Sequence, residues 1–579
     1  MIDYMNPFEY EAAKKLTPEQ ILEFYIQDFN FSRFVKSRRN IFLVGERGTG
    51  KTMTLIYNSF PVQLLKAQKE RSEPNLDLIC VYIPCNTPLT HRREYQLLEE
   101  FQASVISEHF LVLTIMDAIA GTVSTIPDVL EGSDEKRLRE DFNYALGLDL
   151  RDGRSFFESL RLLFQREATE AQKAINARRA EAFYEDALSF LSGVMPMVNC
   201  LKRIPKLAKS HLALMFDDAH DLNPYQIRTL NSWIAYRDNS VFSFKIATTK
   251  VDRPLLLTAS GGTILEGHDF TLVDMVQPYQ NRYSDFGKLA RGIVQQRLNN
   301  IGVSKGPDEF FPVNPEFQKE IEECENLVRS KAEERIQSAT NKQITDYVYK
   351  YGRAEYFRRR SEKSNRPPYS GFEMLVHIST GVIRNLLEPC YWMYDKVVSD
   401  LRSQGGNYSA IEQIPPPVQT QIIRDRSRRM WEWIKEGLDN SVEGCSKRQA
   451  DEIYRLFDNL AMLFRERLLH HESEPRAIVF TISDTHHPKY QDLIELLDIA
   501  RKAQILYTYT SSAKDHGRRE SYYVPNRMLW PERGLDPVGQ YSRVSLKAGD
   551  LWAAAESNKK IPFVKAPEQQ QQLGLFDAR

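Results

Sequence analysis

The sequence predicts an α/β fold: a parallel sheet carrying a phosphate-binding loop, then a helical lid, then a helix-rich domain with a β-hairpin. Three observations predict it. "NIFLVGERGTGKT" joins a short apolar run to a complete G-x-x-x-x-G-K-[ST] signature. "LALMFDD" ends a second apolar run in paired acids, Asp217 and Asp218. Further apolar runs recur between helical patterns, the order of a parallel sheet that binds its ligand at the strands' C-terminal ends.

The first strand, "NIFLV", runs straight into the signature. Gly45, Glu46, Arg47, Gly48, Thr49 and Gly50 form the loop, and Lys51, Thr52 and Met53 open the helix "MTLIY". Glycines let backbone N–H groups turn inward around a phosphate. The helix N-terminus adds its positive dipole end. Lys51 has the length to reach β- and γ-phosphates, and the Thr52 hydroxyl suits Mg²⁺. These residues predict an ATP site with its metal. At the end of the "LALMF" strand, Asp217 is the expected second metal ligand, through water, and Asp218 the group that orients an attacking water.

Two strands complete the pattern and a third extends it. "LICVYIPCNT" (78–87) lies between the two motifs. "FSFKIATTK" (242–250) follows the acids and ends in Thr248 and Thr249, of which Thr249 is expected beside the γ-phosphate. "DFTLVDM" (269–275) reads as a fifth strand. Between the motifs, 91–205 carries strong helical periodicity, as in "SFFESLRLLFQREATEAQKAINARRAEAFYEDALSFL", and reads as a large helical insertion.

Composition bounds the rest. Of 579 residues, 42% are hydrophobic and 27% charged, an ordinary globular balance. A chain of this length suggests three or four domains. No run of consecutive apolar residues reaches the length of a membrane span, and "MIDYMNPFEYEAAKK" lacks the apolar core of a secretory signal, so a cytoplasmic protein without membrane contact is expected. The six cysteines form no C-x-x-C pair. The paired histidines at 470–471 and 486–487 lack ligand partners at metal spacing and read as surface residues. The net charge of −1 gives no whole-chain sign of a nucleic-acid binder.

Locally the charge differs. "KYQDLIELLDIARKAQILYTYTSSAKDHGRRESYYVPNRML" reads as a helix followed by two alternating strands, the order of a winged helix. Lys514, His516, Arg518 and Arg519 make its turn cationic, as a DNA contact would require. "RAEYFRRRSEKSNR" (Arg353, Arg358, Arg359, Arg360, Lys363, Arg366) and "RDRSRRMWEW" (Arg424, Arg426, Arg428, Arg429) read first as solvated faces.

"NIFLVGERGTGKT", "LALMFDDAHDL" and "FKIATTK" resemble Walker A, Walker B and sensor 1 of a AAA+ ATPase, and "HISTGVIRNLLEPCYWMY" resembles a sensor 2 helix with Arg384 at the arginine position. The order, with a C-terminal winged helix, is similar to the origin-recognition and replication-initiator clade. The "DD" and "TTK" details also resemble STAND signalling ATPases. The resemblance implies ATP and Mg²⁺ and a γ-phosphate contact from Arg384; the sequence departs from the family pattern in its arginine finger, for which Arg253 and Arg282 are only weak matches. Many relatives carry Glu where Asp218 stands, and the shorter side chain implies slow hydrolysis or a switch-like role. The implied divisions are an ATPase core at 1–290, a helical lid at 291–400 with a polar insertion at 306–368, a winged-helix domain at 411–550 and a tail at 551–579.

That tail, "KKIPFVKAPEQQQQLGLFDAR", has the composition of a flexible tether. Gln572, Leu573, Leu575 and Phe576 resemble the Q-L-x-L-F peptide by which bacterial replication proteins dock on a sliding clamp. Three functions remain open at this point. One is a nucleotide-driven DNA-binding ATPase in replication initiation or in genome surveillance such as phage defence. The second is a STAND-type switch that senses a partner, forms a homo-oligomer and activates an effector protein without binding DNA. The third is a nucleotide-locked scaffold.

Overall fold

The computed structural model describes residues 6–563 apart from 10–12, 27–30, 86–94, 96–97, 148, 151–153, 178–186, 237–240, 250–253, 276–284, 336–339, 363–366, 405–410, 471–476, 513–518 and 539–542. The chain divides into two compact units, residues 11–275 and residues 1–10 with 276–579.

The first unit is built on β1 (Ile41–Val44), β2 (Leu78–Pro84), β3 (His211–Asp217), β4 (Phe242–Thr248) and β5 (Thr271–Asp274). They form one sheet in the order β2-β3-β4-β1-β5, and every pairing is parallel. All five C-terminal ends therefore open on one edge, where Pro84 pairs with Asp217 and Val44 with both Thr248 and Asp274. Strands covered on both faces need apolar residues throughout, which is why they read as continuous runs. Every residue of β3 and β4 is buried.

Alternation sends side chains into two different cores. Ala213, Met215 and Ala247 join Ile41, Leu43 and Leu55 on one face. Leu212, Leu214, Phe216, Phe244 and Ile246 face a larger cluster on the other. That cluster is built mainly from the 91–205 segment, through helices Glu100–Val123, Glu135–Leu146 and Phe156–Asn176 and the π-turn Phe190–Val194. Ile106 and Phe110 share it with Ile79, Val81 and Ile83 of β2, and Phe190 stacks on Trp233 with ring centres 4.4 Å apart. The segment is thus the cover of one sheet face. Glu100–Val123 is long and apolar enough to cross a membrane by length and composition, yet 72% of its apolar window is buried in this core.

Lys245 is the charged residue inside β4. Its ammonium donates to the Ser37 carbonyl at 2.6 Å and to the Arg39 carbonyl, pinning the turn that leads into β1.

In the second unit, Phe8 packs among Phe310, Phe311 and Tyr394. Arg297 donates to the carbonyls of Pro7 and Glu9 at 2.9 and 3.0 Å, which fixes residues 6–9 to helix Asp285–Asn300. Helices Pro315–Arg335 and Asn341–Glu362 pack against each other. Phe317, Ile321, Tyr356 and Phe357 from this pair enter the same core as Trp431, Ile453 and Phe457.

A second sheet belongs to this unit. It contains β6 (Val479–Ser483), β7 (Leu506–Ser512), β8 (Arg519–Pro525) and β9 (Arg543–Lys547), in the order β7-β8-β6-β9. β7 and β8 form the expected antiparallel hairpin, preceded by helix Tyr490–Lys502, which buries Leu493, Leu496, Leu497 and Ala500. β6 pairs antiparallel with β8 and parallel with β9. The sequence reading left out β6 and β9. β9 is a five-residue strand with one buried position, so it carries almost no apolar signal.

Several members of the two arginine clusters need correction as solvated residues. Arg353 forms a two-pronged ion pair with Asp536 at 2.9 and 3.0 Å. Arg358 is buried and donates to the carbonyls of Leu468 and His470. Arg360 pairs with Glu320 at 3.1 Å. Arg424 donates to the Pro367 carbonyl at 2.8 Å, and Arg426 pairs with Glu388. Arg428 and Arg429 are exposed. The charges follow one another in sequence because a helix points them to different neighbours, which a linear cluster does not reveal. Lys363 and Arg366 lie outside the described residues.

Candidate nucleotide site

The site is assembled at the C-terminal edge of the parallel sheet. Val44 ends β1, and the chain turns through Gly45–Gly50 into helix Lys51–Asn58. Gly48 and Gly50 have φ of 89° and 96°, left-handed values that favour glycine. A Cβ on Gly45 would meet Thr49 Oγ1 at 2.8 Å, so the loop is too tight for a side chain there. Thr49 in turn donates to the Glu46 carbonyl at 2.8 Å, and the Gly45 N–H donates to the Thr248 carbonyl at 3.1 Å. Glu46 and Thr49 are buried and Arg47 is exposed. Met53 packs with Ile21, Tyr25 and Tyr57 behind the helix.

Lys51 is buried, and its ammonium donates to the carbonyls of Gly45 at 2.6 Å and Glu46 at 3.0 Å. Burial pushes its pKa below the ordinary lysine value, against the pull of Asp218 and Asp217. Thr52 donates to Asp217 Oδ1 at 3.1 Å. The two residues proposed to share a metal therefore already touch across the edge of the sheet.

Asp217 is fully buried at the end of β3. Burial, and then the neighbouring charge of Asp218, raise its pKa, while hydrogen bonds from Tyr82 and Thr52 oppose the rise. Tyr82 donates to Asp217 Oδ2 at 2.8 Å. Asp218 sits in the left-handed region at φ 57°, a conformation an aspartate tolerates better than most side chains. Burial raises the pKa of Asp218, but the hydrogen bond and charge of Lys14 outweigh it, and the carboxyl titrates below its usual range. Lys14 lies in the short turn Ala13–Lys15, 2.8 Å from Asp218 Oδ2 and 3.5 Å from Asp217 Oδ2. Thr249 follows β4 directly, half-buried at the same edge.

Sequence reasoning missed Tyr82 and Lys14. Tyr82 carried a signal, a polar-tipped residue near the end of an apolar strand. Lys14 carried none, because nothing in "AAKKLTPEQ" points to acids two hundred positions away.

The remaining predicted residues fall elsewhere. Arg384 begins helix Ile383–Ser403 in the second unit. Its neighbour Asn385 donates to Tyr507 Oη of the hairpin at 2.9 Å, and Val382 packs with Tyr507, Tyr522 and Val524. Arg253, Arg282, Lys514, His516, Arg518 and the tail residues Gln572, Leu573, Leu575 and Phe576 lie outside the described residues, and of Arg519 only the backbone is described. Among the described residues no cluster of His, Cys, Asp and Glu forms a separate metal centre.

A family model for ORC-CDC6-like proteins matches residues 6–546. The chain belongs to the ORC-CDC6-like family. It is an ORC/Cdc6-like AAA+ α/β protein, and nucleotide binding with magnesium is the general property of that family. Among solved structures it is similar to Cdc6p from Pyrobaculum aerophilum, at 13% identity over 95% of this chain and 96% of that one, with a TM-score of 0.29. It is also similar to the Aeropyrum pernix Orc1 protein in complex with DNA, at 10% identity over 92% and 94%, with a TM-score of 0.26. The curated proteins contain no match.

The ORC-CDC6-like chain fits the group its family implies. The left-handed glycines leave a backbone cradle, Lys51 supplies a buried cation, and Thr52 and Asp217 present adjacent oxygens suited to a hard divalent ion.

Proposed function

We propose that this protein binds ATP, hydrolyses it slowly and acts on DNA through the helix and hairpin of its second unit, read as a winged helix. The observation that carries the reading is the convergence of Lys51, Thr52, Asp217 and Asp218 at one sheet edge in an ORC-CDC6-like chain. Replication initiation or surveillance of foreign DNA would use such a protein.

Bound Mg²⁺–ATP supplies an electrophilic γ-phosphate and the divalent charge that stabilises its leaving group. The chain's part follows from its geometry. Loop N–H groups and Lys51 hold the phosphates. Thr52 and Asp217 hold the metal, and Tyr82 fixes Asp217 by donating to its second oxygen. Asp218 orients the attacking water, and its short side chain accounts for slow turnover. Thr249 contacts the γ-phosphate region, and Arg384 takes the sensor role that the resemblance assigns. The tail's Leu575 and Phe576 dock weakly on a sliding clamp.

The test is single-turnover ATPase with and without duplex DNA, beside nucleotide titration. Lys51→Ala should lose ATP affinity by at least ~100-fold, since a buried cation–phosphate contact is worth about 3 kcal/mol. Asp218→Asn should bind ATP and fail to turn it over. Full affinity in Lys51→Ala would remove the site assignment. Normal nucleotide binding without DNA affinity would favour the signalling switch.

A further inference from the structure

The two acids of the site are held by a group that lies outside every motif. Asp217 Oδ1 accepts from Thr52, and Asp217 Oδ2 accepts from Tyr82 with the Lys14 ammonium 3.5 Å away. The same ammonium is 2.8 Å from Asp218 Oδ2. Lys14 thus bridges the residue proposed to hold the metal and the residue proposed to orient water. It reaches them from the turn Ala13–Lys15, just after the chain enters this unit. That turn is anchored. Ala13 and Leu16 pack on the cluster formed by Ile21, Tyr25, Tyr57 and Val62, which ties the turn to the phosphate-loop helix. Helix Pro18–Phe24 then starts on a capping box between Thr17 and Gln20, fixing where the lysine stem begins.

Like charges compete for the same carboxylates. A divalent cation shared by Thr52 and Asp217 would stand against the ammonium now beside Asp217, and two cations at that separation repel. The ammonium relaxes by giving up Asp217, which removes one of the contacts that hold the Ala13–Lys15 turn.

We propose that Lys14 is a positioning residue that acts as a resident counter-cation: it holds Asp218 in place, competes with Mg²⁺ for Asp217, and makes nucleotide binding loosen the Ala13–Lys15 turn. The inference rests on the reading of this edge as a Mg²⁺–nucleotide site. It gives that site a threshold, because the metal must outcompete an intramolecular cation.

Two measurements test it. The first is equilibrium binding of a fluorescent ATP analogue titrated with Mg²⁺. Lys14→Met should need several-fold less Mg²⁺ than wild type for half-maximal binding, and Lys14→Arg should restore the wild-type requirement. A lysine with only a structural role would change the amplitude or stability and leave the Mg²⁺ midpoint alone. The second uses wild-type protein, so it stands even if Lys14→Met fails to fold. Tryptic cleavage after Lys14 and Lys15 should accelerate several-fold with Mg²⁺ and a non-hydrolysable ATP analogue, but not with the analogue and EDTA. Equal Mg²⁺ midpoints in wild type and Lys14→Met, or cleavage that Mg²⁺–nucleotide leaves unchanged or slows, overturns the proposal. Wild-type protein that binds no nucleotide at any Mg²⁺ concentration instead overturns the underlying site.

Discussion

The two sheets of this protein use charge in opposite ways. The parallel sheet keeps it out of its strand interiors, Lys245 apart, and gathers it at one edge, where Lys14, Lys51, Asp217 and Asp218 meet. The mixed sheet lies in a unit where ionic groups brace the fold. Arg353 clasps Asp536, Arg358 caps carbonyls of Leu468 and His470, and Arg527 is buried beside His377 with 3.0 Å between their nitrogens. Dense charge therefore marks a site in one unit and scaffolding in the other. The distinguishing feature is whether the charges converge at the open end of strands or are dispersed to separate partners.

The largest expected effect tests the covering of the parallel sheet. Phe110→Ala removes a fully buried ring from the cluster shared by β2 and the 91–205 helices. It should destabilise the first unit by about 3–5 kcal/mol, read as a lowered midpoint in urea unfolding. A loss below ~1 kcal/mol would mean the segment is an appendage and the sheet's core lies elsewhere. Next comes the scaffolding claim. Arg353→Ala strands the nearly buried Asp536 and should cost the second unit about 2–4 kcal/mol, discounted for the partial exposure of Arg353. Nucleotide affinity in the same variant should equal that of wild type. A variant of unchanged stability that weakens DNA binding would turn Arg353 back into a contact residue. The smallest effect concerns the apolar residues of the tail. Burying Leu575 and Phe576 on a clamp contributes on the order of 1.5–3 kcal/mol each, enough for a reversible tether. Purified clamp should be retained by the full chain and lost with Leu575→Ala/Phe576→Ala, and equal retention by both would remove the tether.

The same contrast explains what the sequence made legible. β1, β3 and β4 were readable because their covered faces make their runs mostly apolar, Lys245 and Ser243 of β4 being buried against polar partners. The phosphate loop was readable because its glycines and Lys51 sit at fixed spacing. The hairpin was readable from alternation. β9 was not, since "RVSLK" has a single buried residue and gains its identity from β6 beside it. Lys14 was illegible for a different reason. Its importance arises from a contact made only after the sheet has closed, and no local pattern encodes such a meeting. The arginine clusters read as solvated faces because the linear pattern does not show the distant carboxylates and carbonyls that several of them meet.

The strand order has a consequence for how the protein is made. Among the described residues, β1 is bonded to β4 and β5 and β2 to β3, so apart from the β3–β4 pair the parallel sheet joins strands that lie far apart along the chain. Folding this unit means closing long loops before β1 or β2 gains a partner, the condition for slow folding. At roughly 5–20 residues per second of synthesis, the phosphate loop waits on the order of tens of seconds for β4 to leave the ribosome. For much of that interval the apolar helix Glu100–Val123 is made but lacks the β3 and β4 side chains that share its core. The nascent chain is thus a natural client for chaperones that shield hydrophobic segments, and its yield in cells should depend on them more than the stability of the finished fold would suggest.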